Sequence, residues 1–193
     1  MTKEALRKLY LDKRKKLAPD ITAQFNLQLY HLFFSSIDLS FAHVLHTYLP
    51  LARNNEPDTW IIIDRIRREF SHIRISIPRI TPNGDLESFY FEGLHQLQHN
   101  ILGIPEPKQG VPTPPEKIDL ILVPLLVLDK QGHRVGYGKG YYDRFLSTCR
   151  GDCIKIGLSF FDPTDTISDA GAHDVQLNIC ITPKKVLRFE ALP

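Results

Sequence analysis

The chain has 193 residues, 42% hydrophobic and 24% charged, with a formal net charge of +2. That length suits one domain with a sizeable core, and so small a net charge excludes the strong pull of a nucleic-acid or membrane-surface binder. The three cysteines lack paired CxxC spacing, which argues against a disulfide framework or a structural zinc site. The N-terminus, MTKEALRKLYLDKRKKLAPD, is too charged for a signal peptide, and no apolar run reaches the ~18–20 residues of a membrane span. A cytoplasmic monomer acting on small molecules is expected.

Residues 3–17 have amphipathic helical spacing, with Leu6, Leu9, Tyr10 and Leu17 on one side. Lys8, Lys13, Arg14, Lys15 and Lys16 read as a solvated basic face. Pro19-Asp20 should break this helix and cap a second, where Phe25, Leu29, Leu32 and Phe33 recur at helical spacing. His43 to Leu49 reads as a strand, and Asp58-Thr59 offers an N-cap for the helix WIIIDRIRREF. Ile73 to Ile77 is a second strand, closed by Pro78. A turn at Asn83-Gly84 leads to an edge strand over Ser88 to Glu92, and residues 103–115 form a proline- and glycine-rich surface loop. Ile118 to Val123 is a continuous apolar run, as expected of a strand buried on both faces of a parallel sheet. After a turn at Asp129 to Gly132, a helix is expected from Tyr141 to about Thr148, then strands over Ile154 to Phe160 and Val175 to Ile181. Alternating strands and helices define an α/β fold: one three-layer sandwich over 1–193, with a mainly parallel sheet and helices on both faces.

The chemistry concentrates in RVGYGKGYYD, Arg134 to Asp143. Gly136, Gly138 and Gly140 permit positive φ and leave no Cβ in the way, so successive N–H groups can converge on an anion ahead of a helix N-terminus. Arg134 and Lys139 offer cations to phosphate oxygens, and Asp143 could hold Mg²⁺ through one carboxylate oxygen. Lys139 is followed by Gly140 and not by Ser or Thr, which excludes a P-loop; Tyr141 and Tyr142 exclude the dinucleotide fingerprint. On the residues alone the segment reads as a generic phosphate loop, with a plain strand-to-helix turn as the bland alternative.

The stretch DLILVPLLVLDKQGHRVGYGKGYYDRFL closely resembles the signature of the 5-formyltetrahydrofolate cyclo-ligase family. Three further segments resemble the family in order: Lys3 and Arg7 in KEALR, the central loop Asn100 to Pro107, and His173-Asp174-Val175. The resemblance implies ATP-dependent cyclisation of 5-formyltetrahydrofolate to 5,10-methenyltetrahydrofolate, with ATP as co-substrate and Mg²⁺ as metal. It implies that Lys3, Arg7 and the segment Arg134, Val135, Gly136, Tyr137, Gly138, Lys139, Gly140, Tyr141 and Tyr142 bind ATP. Glu56, with Tyr137, Gly138, Lys139, Gly140 and Tyr141, would contact the folate. Lys139 would touch both ATP and the formyl group, and Asp143 with Asp174 would hold the metal. Leu125, Asp162-Pro163 and Asn178 depart from the family pattern, which leads one to expect an altered rim of the site. The competing readings are a relative that binds nucleotide or folate without turnover, and another phosphate-handling enzyme such as a sugar-phosphate isomerase or a CoA-transferase relative. An isomerase would want a clearly placed general base, and none is evident near the loop.

Overall fold

A computed structural model describes residues 1–101 and 103–189. Leu102, inside the central-loop motif, and residues 190–193 lie outside the described residues. Helix α1 runs over Lys3–Lys15, two residues shorter than its spacing suggests, with Thr2 as N-cap. Its Leu6 is buried whereas Leu9 is exposed, so the apolar stripe is narrower than expected. Helix α2, Pro19–Ser36, begins with Pro19 at its first turn, where a missing N–H costs nothing; Ala18, not Pro19-Asp20, is its N-cap. Strand β1 is Val44–Thr47. In helix α3, Trp60–Glu69, the Asp58 carboxylate accepts from Trp60 N at 2.9 Å, while the Thr59 hydroxyl donates to Tyr48 O.

Strand β2 spans Arg74–Ile80 and pairs antiparallel with β3, Leu86–Tyr90. Pro78 therefore does not close β2. Pairing with β1 ends at Ser76, and Pro78 sits opposite Ser88 where it owes no bond to β1. The proline-rich stretch is less irregular than expected, because β4, Leu97–His99, and β5, Pro105–Pro107, form a small hairpin. Strand β6 is Leu120–Val123, all four residues fully buried. Strands β7, Val127–Leu128, and β8, Arg134–Val135, form a second hairpin around the expected turn. Helix α4 is Tyr141–Thr148, β9 is Ile154–Leu158 and β10 is Ile179–Ile181. An edge strand β11, Val186–Arg188, has no counterpart in the sequence reading.

The main sheet has the order β11-β10-β9-β6-β1-β2-β3, parallel from β10 to β2 with an antiparallel strand at each edge. Alternate residues divide its faces. Leu45, Leu120, Leu122 and Ile156 pack with Leu29 and Phe33 of α2 and Ile62, Ile63 and Ile66 of α3. Val44, Ile121 and Val123 pack on the other face with Phe145 and Leu146 of α4. Helices thus cover both faces, at about 1.5–3 kcal/mol for each large apolar side chain fully buried. Helix α1 stands apart from these layers, its Leu6 clustered with Val127, Val135 and Ile167. The three cysteines are free thiols, and among the described residues no helix is long and apolar enough to cross a membrane.

Candidate active site

Strands β1 and β6 are neighbours, but the chain leaves them in opposite directions, from β1 through α3 to β2 and from β6 through α4 to β9. A crevice opens beyond the carboxyl ends of such a strand pair, and ligands of open α/β sheets bind there. A cavity of about 500 Å³ occupies this place, bordered by Tyr48 and Leu49 after β1 and by Pro124 after β6. That is within the ~300–1,000 Å³ range of small-molecule sites.

The glycine loop forms one wall. Packing of Leu6 on Val127 and Val135 docks α1 against the β7–β8 hairpin, which brings Lys3 and Arg7 to the cavity. Arg7 Nε donates to Gly136 O at 2.9 Å. Gly138, at φ +87°, lies so close to this guanidinium that a Cβ would stand 2.9 Å from Arg7 Cζ. Gly136 differs, because a Cβ there would meet nothing within 4 Å; its missing side chain keeps the cavity open and relieves no clash. Lys139 is exposed at the rim, and among the described residues its ammonium has no partner. Gly140, at φ +67°, caps α4, and the first-turn residues Tyr141, Tyr142 and Asp143 border the same cavity. Arg144 ties this helix to the β2–β3 turn by donating to Gly84 O and the Asp85 carboxylate.

A second wall carries a buried carboxylate. Glu56 is buried: its Oε2 accepts from Leu51 N at 2.7 Å and its Oε1 from the Tyr137 hydroxyl. Burial pushes the Glu56 carboxyl above its ordinary value, against the opposing pull of these bonds and of Arg14. Burial likewise raises the Tyr137 and Tyr142 phenols, so both stay protonated and can donate. Among the described residues the buried Tyr142 hydroxyl has no hydrogen-bond partner. Arg14, expected on a solvated face, is instead only 2% exposed and donates to the Tyr137 hydroxyl, Asn54 O and Leu125 O. Its signal lay in its spacing, since seven residues after Arg7 it falls on the same helical face.

Most of the expected residues meet in this cavity: Lys3, Arg7, Glu56, Arg134, Asp143, Asp174 and Gly136 to Tyr142 all border it. Val135 does not, for its side chain is committed to the cluster with Leu6 and Ile167. Arg134 is buried and already occupied, donating to Asp143 Oδ1 at 2.8 Å and to Val175 O. Glu106 of β5 reaches the same cavity, holding Asn100 Nδ2 at 2.9 Å.

Among the described residues no group of three or more His, Cys, Asp or Glu gathers to hold a metal. Asp143 spends Oδ1 on Arg134 and Val175 N. Asp174 spends Oδ2 on Lys3 and Gly171 N; these outweigh its partial burial and hold its carboxyl below the usual range. The second oxygen of each faces no protein donor among the described residues. Two carboxylates with one available oxygen each fit a Mg²⁺ ion that takes its other ligands from phosphates and water.

The three departures from the family pattern lie off the cavity. Leu125 is buried and its side chain rests on Gly157, where a Cβ would come within 2.6 Å of it. Asn178 bridges the sheet, its Oδ1 accepting from Lys155 N at 2.8 Å and its N–H donating to Lys155 O. Asp162 pairs with Lys184 at the surface.

A mainly parallel sheet with a glycine-rich loop and a buried glutamate in one crevice at its strand switch defines an α/β protein with a cavity of small-molecule size. The chain belongs to the 5-formyltetrahydrofolate cyclo-ligase family, whose family model matches residues 1–183. It is similar to 5-formyltetrahydrofolate cyclo-ligase of Mycoplasma genitalium, 40% identical over 67 residues that make up 34% of this chain and 41% of that protein. It also resembles the NMR structure of 5,10-methenyltetrahydrofolate synthetase from Aquifex aeolicus, at a TM-score of 0.78 and 25% identity, covering 100% of this chain and 95% of the other. The Mycoplasma pneumoniae synthetase structure matches at a TM-score of 0.76 and 25% identity, covering 94% and 98%.

Proposed function

We propose that this chain converts 5-formyltetrahydrofolate and ATP into 5,10-methenyltetrahydrofolate, ADP and phosphate. The observation that carries the reading is one cavity with a phosphate cradle on one wall and a buried hydrogen-bond acceptor, Glu56, on the other. A carboxylate offers about four acceptor sites, and the protein fills two of those on Glu56. The remainder can receive the N–H groups of a pterin ring.

ATP would lie with its phosphates against Gly136 to Gly140 and the head of α4, near Lys3 and Arg7. The formyl oxygen attacks the γ-phosphorus and the bond to the β-phosphate oxygen breaks, giving ADP and an imidate phosphate. N10 then attacks the activated carbon, the carbon–oxygen bond breaks as phosphate leaves, and N10 loses its proton. This sequence needs alignment and charge neutralisation more than a protein nucleophile. Lys139, exposed at the rim, can follow the negative charge from the γ-phosphate to the departing phosphate. A Mg²⁺ ion held through Asp143 and Asp174 would supply further charge neutralisation at the phosphates. Arg134 keeps Asp143 in place, and the Tyr137 phenol orients Glu56.

Purified protein given 5-formyltetrahydrofolate, ATP and Mg²⁺ should develop the methenyl absorbance with one ADP per product. Nucleotide binding without product at high enzyme concentration would leave a binding protein and sink the catalytic reading.

A further inference from the structure

Arg14 does not border the cavity, yet its guanidinium reaches three of the segments that frame it. It donates to Asn54 O at 2.8 Å in the loop after β1, to Leu125 O at 3.0 Å after β6, and to the Tyr137 hydroxyl in the glycine loop. Glu56 Oε1 lies 3.9 Å from the same group, and Asn55 Nδ2 donates to Arg14 O at 3.0 Å. Burying a cation is costly unless its donors are matched. A planar guanidinium spreads five donors over three nitrogens in a fixed fork, whereas an ammonium concentrates its three on one nitrogen and does not span acceptors set this far apart in the same way.

We infer that Arg14 is a positioning residue for turnover, holding Tyr137 and the Glu56 loop in register so that the nucleotide wall and the folate wall keep a fixed separation. The inference rests on the cyclo-ligase reading for its ligands. It goes beyond that reading because Arg14 touches neither ligand and acts through Tyr137 and Glu56. The groups facing Glu56 are Arg14 from α1, Tyr137 from the glycine loop, Arg53 beside it, Tyr48 after β1 and Tyr142 from α4. Of the two cations, Arg14 has the larger influence on Glu56. The sign follows: burial raises the carboxyl, Arg14 opposes this, and loss of Arg14 lets the carboxyl rise further. Glu56 must be ionised to offer acceptors at both oxygens to the pterin N–H groups, so the acid limb of folate affinity then moves to higher pH.

The test compares Arg14→Met and Arg14→Lys in the full chain, with calorimetric binding of 5-formyltetrahydrofolate and steady-state rates followed across pH. In Arg14→Met the acid limb should move up by roughly one pH unit, at the low end of the ~1–3 units of a neighbouring opposite charge. Arg14→Lys should keep the limb near wild type while kcat falls about tenfold through lost orientation of the site. Both variants losing only thermal stability, with the wild-type limb and rates intact, would overturn the inference. Should Arg14→Met fail to fold, a cycle of Arg14→Lys with Tyr137→Phe decides. Losses acting through one contact do not multiply, whereas independent, multiplying losses overturn the inference. Calorimetry reads folate binding without turnover, so a wild-type protein that binds but makes no product sinks the catalytic reading and leaves this test standing.

Discussion

The two walls of the cavity are finished in different ways. On the proposed folate side, Glu56, Tyr137 and Arg14 are bonded to one another before any ligand arrives, and Glu56 and Arg14 are buried. On the proposed nucleotide side, Lys139 stands exposed and Gly136 faces open space. A neutral heterocycle is recognised by a few directed hydrogen bonds, which pay off only if the acceptors are fixed in advance. A polyphosphate is recognised mainly by charge and by backbone N–H groups, and its arrival can complete the cradle. The first wall should therefore fail through lost geometry, the second through lost charge.

Lys139→Ala tests the charge wall and carries the largest expected effect. Loss of a cation that stabilises developing negative charge should lower kcat roughly 100- to 1,000-fold, with the thermal midpoint unchanged because the side chain is exposed. Unchanged kcat would remove Lys139 from the chemistry. On the geometric wall, Glu56→Gln should weaken 5-formyltetrahydrofolate about 10- to 100-fold, the worth of hydrogen bonds to a charged group, while ATP binding measured by calorimetry stays near wild type. Equal losses for both ligands would mean that the walls do not divide the work. The smallest effects separate two glycines of one loop. Gly138→Ala should cost about 1–2 kcal/mol from its left-handed backbone alone, with a further loss from its contact with Arg7. Gly136→Ala should keep wild-type stability and weaken only nucleotide binding. Denaturant titration of both, beside ATP affinity, checks the contrast.

Much of the fold and of the cavity lining was legible in the sequence, and the limits have physical causes. β6 was readable because a strand buried on both faces must be apolar throughout. The glycine loop's place at the cavity was readable because alternating glycines ahead of a helix leave the backbone open to close approach. β11 and the two small hairpins have strands of only two or three residues, too short for a period to register. Val175 to Asn178 looked like strand, but Val175 N donates to Asp143 and Leu177 N to Gly132 O, so contact with β9 begins only at Asn178, which bonds to Lys155. Arg14 was hidden by composition. In a run of lysines it reads as surface, and only the acceptors waiting at Asn54, Leu125 and Tyr137 draw it inside.

The most direct test of the proposed reaction follows one atom. 5-Formyltetrahydrofolate carrying ¹⁸O in its formyl group is turned over with unlabelled ATP, and the released phosphate is examined by mass spectrometry. Attack of the formyl oxygen on the γ-phosphorus requires that the label appear in inorganic phosphate, one atom for each methenyl product formed. Label recovered in water, with unlabelled phosphate, would contradict phosphorylation of the formyl oxygen and with it the joint role assigned to the two walls.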